Sequence, residues 1–196
     1  SITGEPNTWA MIYSQGDTPS GFNNIRYFAS ADIGNSTLQP ICVAVGDKFG
    51  QPFAVYSTDL GETFTEISVP KHLNGAFFDV EYDQSTKKWY FATNNYIAEA
   101  SNLVSPAWTS TQVLDEDTAV TRLKINPEGA CCAITRKSIW YSANLDNWIK
   151  FQNYGYQWRS IDWFDDKWIA GAESLLTRHT FWTSTDGLNW IADNNQ

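Results

Sequence analysis

Five serines constrain the fold of this chain more than any other feature. Each ends a short strand-like segment and precedes a turn and then an aromatic: Ile12-Tyr13-Ser14, Val55-Tyr56-Ser57, Glu99-Ala100-Ser101, Trp140-Tyr141-Ser142 and Trp182-Thr183-Ser184. The serines are 43, 44, 41 and 42 residues apart. Self-similarity at such a period is the signature of solenoids, propellers and arrays, in which one repeat is one supersecondary unit. Such a unit cannot bury its apolar faces alone and has to lean on its neighbours.

The turn that follows each serine has a readable chemistry. Ser57-Thr58-Asp59-Leu60-Gly61-Glu62-Thr63-Phe64 is the fullest copy. Ser184-Thr185-Asp186-Gly187-Leu188-Asn189-Trp190 is one residue shorter, and Ser142-Ala143-Asn144-Leu145-Asp146-Asn147-Trp148 has Asn in the Asp place. The stretches Ser101 to Trp108 and Ser14 to Phe22 are degraded copies. Asp or Asn accepts bonds from backbone N–H groups two residues on, Gly supplies a positive φ, and the aromatic clamps the hairpin to a core.

These residues resemble the Asp-box, or bacterial neuraminidase repeat, of sialidases and many non-catalytic propellers, and the resemblance covers nearly the whole chain. It implies a structural hairpin between the third and fourth strands of a blade, away from any active site. Ser57, Asp59, Gly61, Phe64, Ser142, Asn144, Trp148, Ser184, Asp186, Gly187 and Trp190 are then fold staples rather than ligands.

Two further strands before each serine complete a four-stranded blade. Phe77–Asp83, Val120–Asn126 and Trp158–Phe164 alternate as first strands. The second strands share one motif: Cys42-Val43-Ala44-Val45-Gly46, Trp89-Tyr90-Phe91-Ala92-Thr93, Cys131-Cys132-Ala133-Ile134-Thr135 and Trp168-Ile169-Ala170-Gly171-Ala172. Turn signals such as Asn126-Pro127-Glu128-Gly129 and Asp165-Asp166 divide first strands from second. No segment reads as a helix. The expected fold is an all-β propeller of four-stranded antiparallel blades in one domain over 1–196, with blades near 26–69, 70–114, 115–153 and 154–196. Residues 1–25 read as the outer half of a further blade, with Trp9–Ser14 as its third strand. The first strand of the first full blade falls somewhere in Arg26–Asn35. Both ends supply outer strands, so they do not complete one another. The expectation is a piece of a longer chain, or ends that pair with another element or subunit.

Composition fits this reading. Ten Trp, nine Tyr and eleven Phe in 196 residues favour pleated surfaces. Thirteen basic against 22 acidic residues leave a net charge of −9, which repels nucleic acid and anionic membranes. No apolar run is long enough to span a bilayer. Ser1–Tyr13 lacks the basic start and apolar stretch of a secretory signal. Cys131 and Cys132 are neighbours on one strand and point to opposite faces, so they are poorly placed to pair. With Cys42 they read as reduced, mostly buried thiols.

Ligands of propellers usually sit on the face carrying the loops between blades and between second and third strands. That face gathers Phe49, His72, Asn74, Asn94, Asn95, Tyr96, Arg136, Lys137, Tyr154, Tyr156, Trp158, Glu173, Arg178 and His179. Tyr96, Arg136, Tyr154, Tyr156, Trp158, Arg178 and His179 are the candidate ligand-binding set, since ring faces stack on sugar C–H surfaces while planar polar groups bond hydroxyls. The alternative is that Tyr154, Tyr156 and Trp158 wedge blade against blade. On the first strands Glu81, Lys124 and Asp162 form one column, and Asp79, Arg122 and Ser160 another; their mixed signs read as compensating pairs.

Catalysis is the less favoured reading. The sialidase resemblance would require three arginines on a carboxylate, a Tyr–Glu nucleophile pair and an Asp acid/base. Five arginines are present, Arg26, Arg122, Arg136, Arg159 and Arg178, but Ile25-Arg26-Tyr27-Phe28 lacks the family's Arg-Ile-Pro start. His72 and His179 have no metal-ligand spacing, and no phosphate loop or nucleophile elbow appears, so neither metal nor cofactor is expected. Two functions follow. One is a non-catalytic binding or structural propeller, resembling virion parts such as phage tail, fibre or capsid-decoration proteins. It would be made in a reducing cytoplasm, act at a virion or extracellular surface, and have protein subunits and surface glycans as partners. The alternative is a sialidase-like glycoside hydrolase fragment.

Overall fold

A computed structural model describes residues 24–31, 40–94, 96–112, 119–152, 155–174 and 180–193. They contain sixteen β-strands and no helix. The strands form four antiparallel sheets, each of four strands in sequence order. Blade 1 is β1 (Asn24–Ala31), β2 (Ile41–Lys48), β3 (Gln51–Ser57) and β4 (Thr65–Glu66). Blade 2 is β5 (Asp79–Asp83), β6 (Lys88–Ala92), β7 (Tyr96–Ala100) and β8 (Trp108–Gln112). Blade 3 is β9 (Arg122–Ile125), β10 (Cys131–Ile134), β11 (Ser138–Ser142) and β12 (Ile149–Gln152). Blade 4 is β13 (Tyr156–Phe164), β14 (Lys167–Ser174), β15 (Thr180–Ser184) and β16 (Ile191–Asp193).

The first strands line up side by side, β1 against β5, β5 against β9 and β9 against β13, as in a propeller whose inner strands ring an axis. Packing of that extent is not repeated between β13 and β1, so the described strands form an arc. β1 begins at Asn24, inside the stretch read from sequence as an earlier blade. The rest of that stretch, with Trp9–Ser14, lies outside the described residues.

Alternation within the strands of blades 2 and 3 sends the apolar set to both sides, because each of these sheets lies between two neighbours. Val43, Val45 and Ala54 of blade 1 meet Val80, Trp89, Phe91 and Ala98 of blade 2. Tyr90, Ala92 and Ile97 on the other face of blade 2 meet Leu123, Ile125, Cys131, Ala133 and Trp140 of blade 3. Cys132, Ile134 and Ile139 then meet Trp158, Trp168, Ala170 and Trp182 of blade 4. The core is therefore three seams and a smaller cluster of Ala44, Phe53 and Val55 in blade 1, and Cys131 and Cys132 belong to different seams. Both are buried and free, and Cys42 is free and partly buried.

Register defines which positions correspond between blades. Val45, Ala92, Ile134 and Gly171 on the second strands pair with Tyr27, Asp79, Arg122 and Ser160 on the first. The same four residues pair with Ala54, Ile97, Ile139 and Phe181 on the third strands. Two residues along, Ala29, Glu81, Lys124 and Asp162 form a second inner column.

Candidate functional site

The turns after β3, β11 and β15 are built from the serine outward. Ser57 Oγ donates to Asp59 Oδ1 at 2.6 Å and accepts the Gly61 N–H at 2.8 Å. Asp59 then accepts from the backbone and hydroxyl of Thr63 at 2.9 and 2.6 Å. In blade 4, Ser184 Oγ donates to Asp186 and accepts the Gly187 N–H, both at 2.9 Å. Asp186 Oδ1 accepts the N–H groups of Leu188 and Asn189 at 2.9 and 2.8 Å, and Trp190 Nε1 donates back to Gly187 O at 3.0 Å. Asn144 makes the same bonds to Asp146 and Asn147 at 3.2 and 3.3 Å, with Trp148 Nε1 on Leu145 O. The neutral amide is the weaker acceptor, and its bonds are longer. Hydrogen bonds draw the Asp59 carboxyl down to about 2, and those from Asn189 lead in drawing Asp186 lower still. Phe64 packs partly buried on Ala44, Phe53 and Val55. Every hydrogen bond that the two aspartates accept among the described residues comes from their own turns, which is what a staple requires.

The opposite end carries the loops between second and third strands, held by loops from the neighbouring blades. Thr93 Oγ1 donates to Asn74 O at 3.2 Å, and the Val120 N–H reaches Thr93 O at 3.1 Å. The Trp158 N–H reaches Arg136 O at 3.1 Å. Tyr96 starts β7 there, half-buried, its carbonyl accepting the Thr93 N–H. Arg136 is exposed in the β10–β11 turn, and its Nε donates to Gln157 Oε1 at 2.9 Å. The same oxygen accepts Arg159 Nη2 at 3.0 Å, and Arg159 also grips Glu173. Tyr156 is half-buried against Trp182, ring centroids 5.1 Å apart and edge-on. The structure thus joins Arg136 to Gln157 at the mouth of the seam between blades 3 and 4, while the Tyr156 ring packs against Trp158 and Trp182 within that seam. Tyr96 lies on blade 2. Tyr154, Arg178 and His179 lie outside the described residues, as does Asn95.

Trp158 takes the second of its two sequence readings, a wedge between blades, and leaves the candidate ligand-binding set. It is 1% exposed and packed among Trp182, Trp190 and Phe151 in the seam. Simple alternation would set it on one face with Ser160 and Asp162. A bulge between Trp158 and Ser160 makes Arg159 the extra residue and turns Trp158 to the opposite face. Blade 1 has a bulge at the corresponding register, with Arg26 as the extra residue. Arg26 pairs with Asp47 at 3.1 Å, and Asp47 corresponds to Glu173, so one arginine–carboxylate device serves both blades. No signal in the sequence marks a bulge, and Gln157 was therefore missed.

Of the two inner columns, the one of Glu81, Lys124 and Asp162 is ion-paired as its signs suggested, whereas Asp79 and Arg122 of the other make no ion pair with each other among the described residues and bond to backbone groups instead. Lys124 Nζ lies 3.3 Å from Glu81 and 3.4 Å from Asp162, bridging three blades. The Arg122 guanidinium lies 5.3 Å from the centre of the Tyr27 ring and donates to Thr121 O at 2.6 Å. Asp79 is buried, and its two oxygens accept the Val80 and Leu123 N–H groups, each at 2.9 Å. Burial pushes its carboxyl up to about 7. Among the described residues no group of His, Cys, Asp and Glu could hold a metal ion, and no helix is long and apolar enough to cross a membrane.

No family profile and no curated protein sequence matches the chain. The fold is similar to a solved structure of a GH43 glycoside hydrolase engineered to display both endo-xylanase and exo-arabinofuranosidase activity, with a TM-score of 0.47 and 11% identity. The alignment covers 78% of this chain and 38% of that one, so the chain spans well under half the hydrolase's length.

Proposed function

We propose that this is a non-catalytic binding propeller of the Asp-box type, a component of a virion or cell surface that attaches to glycans through its loop end. The observation that carries the reading is the fixed Arg136–Gln157 pair at the mouth of the blade 3–blade 4 seam. Gln157 Oε1 is held by two arginines, which sets the plane of its amide, while Arg136 makes this bond through Nε and its Nη groups have no hydrogen-bond partner among the described residues. The half-buried Tyr156 precedes Gln157 on β13, its ring at the rim of the seam against Trp182. Two planar polar groups next to an aromatic match what a sugar ring presents, hydroxyls at the edge and C–H on the face. Buried free thiols suit a protein made in a reducing compartment.

The inner carboxylates favour this over hydrolysis. Glu81 and Asp162 share Lys124, and Asp79, whose carboxyl burial raises to about 7, is out of reach of a substrate with both oxygens on backbone N–H groups. On a glycan array, Arg136→Ala and Gln157→Ala each lower binding by about tenfold or more, the loss expected for a charge-assisted hydrogen bond. Lys150→Ala, on the outer strand, leaves it unchanged. Binding indifferent to both site variants sinks the proposal. Turnover of a fluorogenic sialoside that disappears in Arg122→Ala establishes the hydrolase instead.

A further inference from the structure

The loop between blades 1 and 2 holds the one asparagine of the chain that is followed by glycine, Asn74-Gly75. The pair is pinned from both sides. Leu73 and Phe77 are buried in the seam between these blades. The Leu73 N–H donates to Pro70 O at 3.1 Å and the Phe77 N–H to Gly46 O at 3.0 Å, while Asn74 O accepts Thr93 Oγ1 at 3.2 Å. Between these anchors Asn74 is exposed. Gly75 has a φ of 89°, and a Cβ there would collide with the side-chain amide of Asn94, so the position favours glycine. The Gly75 nitrogen thus has no side chain of its own to shield it. Among the described residues neither its N–H nor the Asn74 side-chain amide makes a hydrogen bond.

We propose that Asn74 is a self-modification site, converting through a cyclic imide to aspartate and isoaspartate. Asparagine is thermolabile by this route, and a following glycine leaves the path to the ring least obstructed. The Gly75 nitrogen gives its proton to solvent and attacks Asn74 Cγ; the new C–N bond expels Nδ2 as ammonia. Water then adds to one imide carbonyl. Breaking the bond to Cγ gives aspartate, and breaking the bond to the main-chain carbonyl carbon gives isoaspartate. In sum, amide and water become carboxylate and ammonium. Either product adds a negative charge to the loop end. Isoaspartate also puts a methylene into the main chain between the anchored Leu73 and Phe77, and displaces the carbonyl that Thr93 uses. Elsewhere the chain blocks this chemistry. At Asp186-Gly187 the Gly187 N–H is held by Ser184 Oγ at 2.9 Å and the carboxylate by Leu188 and Asn189. The side chains of Asn102, Asn126 and Asn144 each accept a backbone N–H.

Ageing the folded full chain in ¹⁸O-labelled water at mildly alkaline pH, with peptides sequenced by electron-transfer fragmentation, tests the assignment. Asn74 loses its amide ahead of every other asparagine, the product carries ¹⁸O at that position, and isoaspartate is among the products. Asn74→Gln, whose longer amide closes a ring far more slowly, stays unmodified there. The isoaspartate form, separated by ion exchange, melts below the unaged protein. Fresh Asn74→Asp melts with the unaged protein, because it adds the charge without lengthening the chain. An Asn74 amide retained in the folded chain, loss as fast at another asparagine, or an isoaspartate form that melts with the unaged protein overturns the proposal.

Discussion

At Gly187 the backbone has a φ of 73°, and a Cβ there would collide with the ring of Tyr141. Gly61 has a φ of 89° in the equivalent turn, yet a Cβ there would touch only Phe64 at 3.7 Å. Both positions disfavour L side chains, at about 1–2 kcal/mol for the left-handed backbone. Only Gly187 adds a steric cost, and it falls on a blade 3 residue. Gly187→Ala therefore lowers the melting temperature more than Gly61→Ala; equal shifts in calorimetry would refute the difference. Ser184 belongs to the same turn. Its Oγ is the only acceptor for the Gly187 N–H among the hydrogen bonds of the described residues. Ser184→Ala leaves that buried donor unpaired and costs about 1–3 kcal/mol, or roughly 2–4 °C per kcal/mol in a chain of this size. Leu145, at a φ of 66°, stands where blade 4 has its glycine, and partial burial against the blade 2–blade 3 seam holds it there.

Asp79 works between elements, joining β5 of blade 2 to β9 of blade 3 through the Leu123 N–H. With its carboxyl raised to about 7, the folded state keeps a proton that the unfolded chain releases near 4. Stability from this group is accordingly full below the unfolded value, falls as pH rises toward 7, and is flat above. The span bounds the loss at roughly 4 kcal/mol. Asp79→Asn, which keeps one acceptor, removes this slope, so its stability relative to wild type is higher at pH 8 than at pH 5 in paired denaturant titrations. An unchanged slope assigns the pH dependence elsewhere. The strands were legible because each carries its own alternation and turn residues: β6, β10 and β14 fall within the motif that begins Trp89, Cys131 and Trp168 or extend it by a residue or two. So was the Glu81–Lys124–Asp162 column, since equivalent register places opposite charges together. Trp158 was not. Its direction depends on one unpaired residue, Arg159, and Tyr or Trp at a strand end looks alike whether it wedges a seam or faces a sugar.

Across the whole molecule, stability is distributed as nearest-neighbour contacts, sheet against sheet, with no single centre that every element shares. Architectures of this kind open at their weakest boundary rather than all at once. Blade 4 has a partner on one side only among the described residues, while blades 2 and 3 are flanked on both. Cys131 and Cys132 sit side by side in sequence, both fully buried, one facing blade 2 and the other blade 4. Burial raises both thiols well above their ordinary range, so neither reacts until its side is uncovered. The chain thus carries a natural two-channel recorder of its own unzipping. Under mildly destabilising conditions, pulsed alkylation read by tandem mass spectrometry will mark position 132 before position 131 if the terminal blade peels away first, and both together if the array gives way as one.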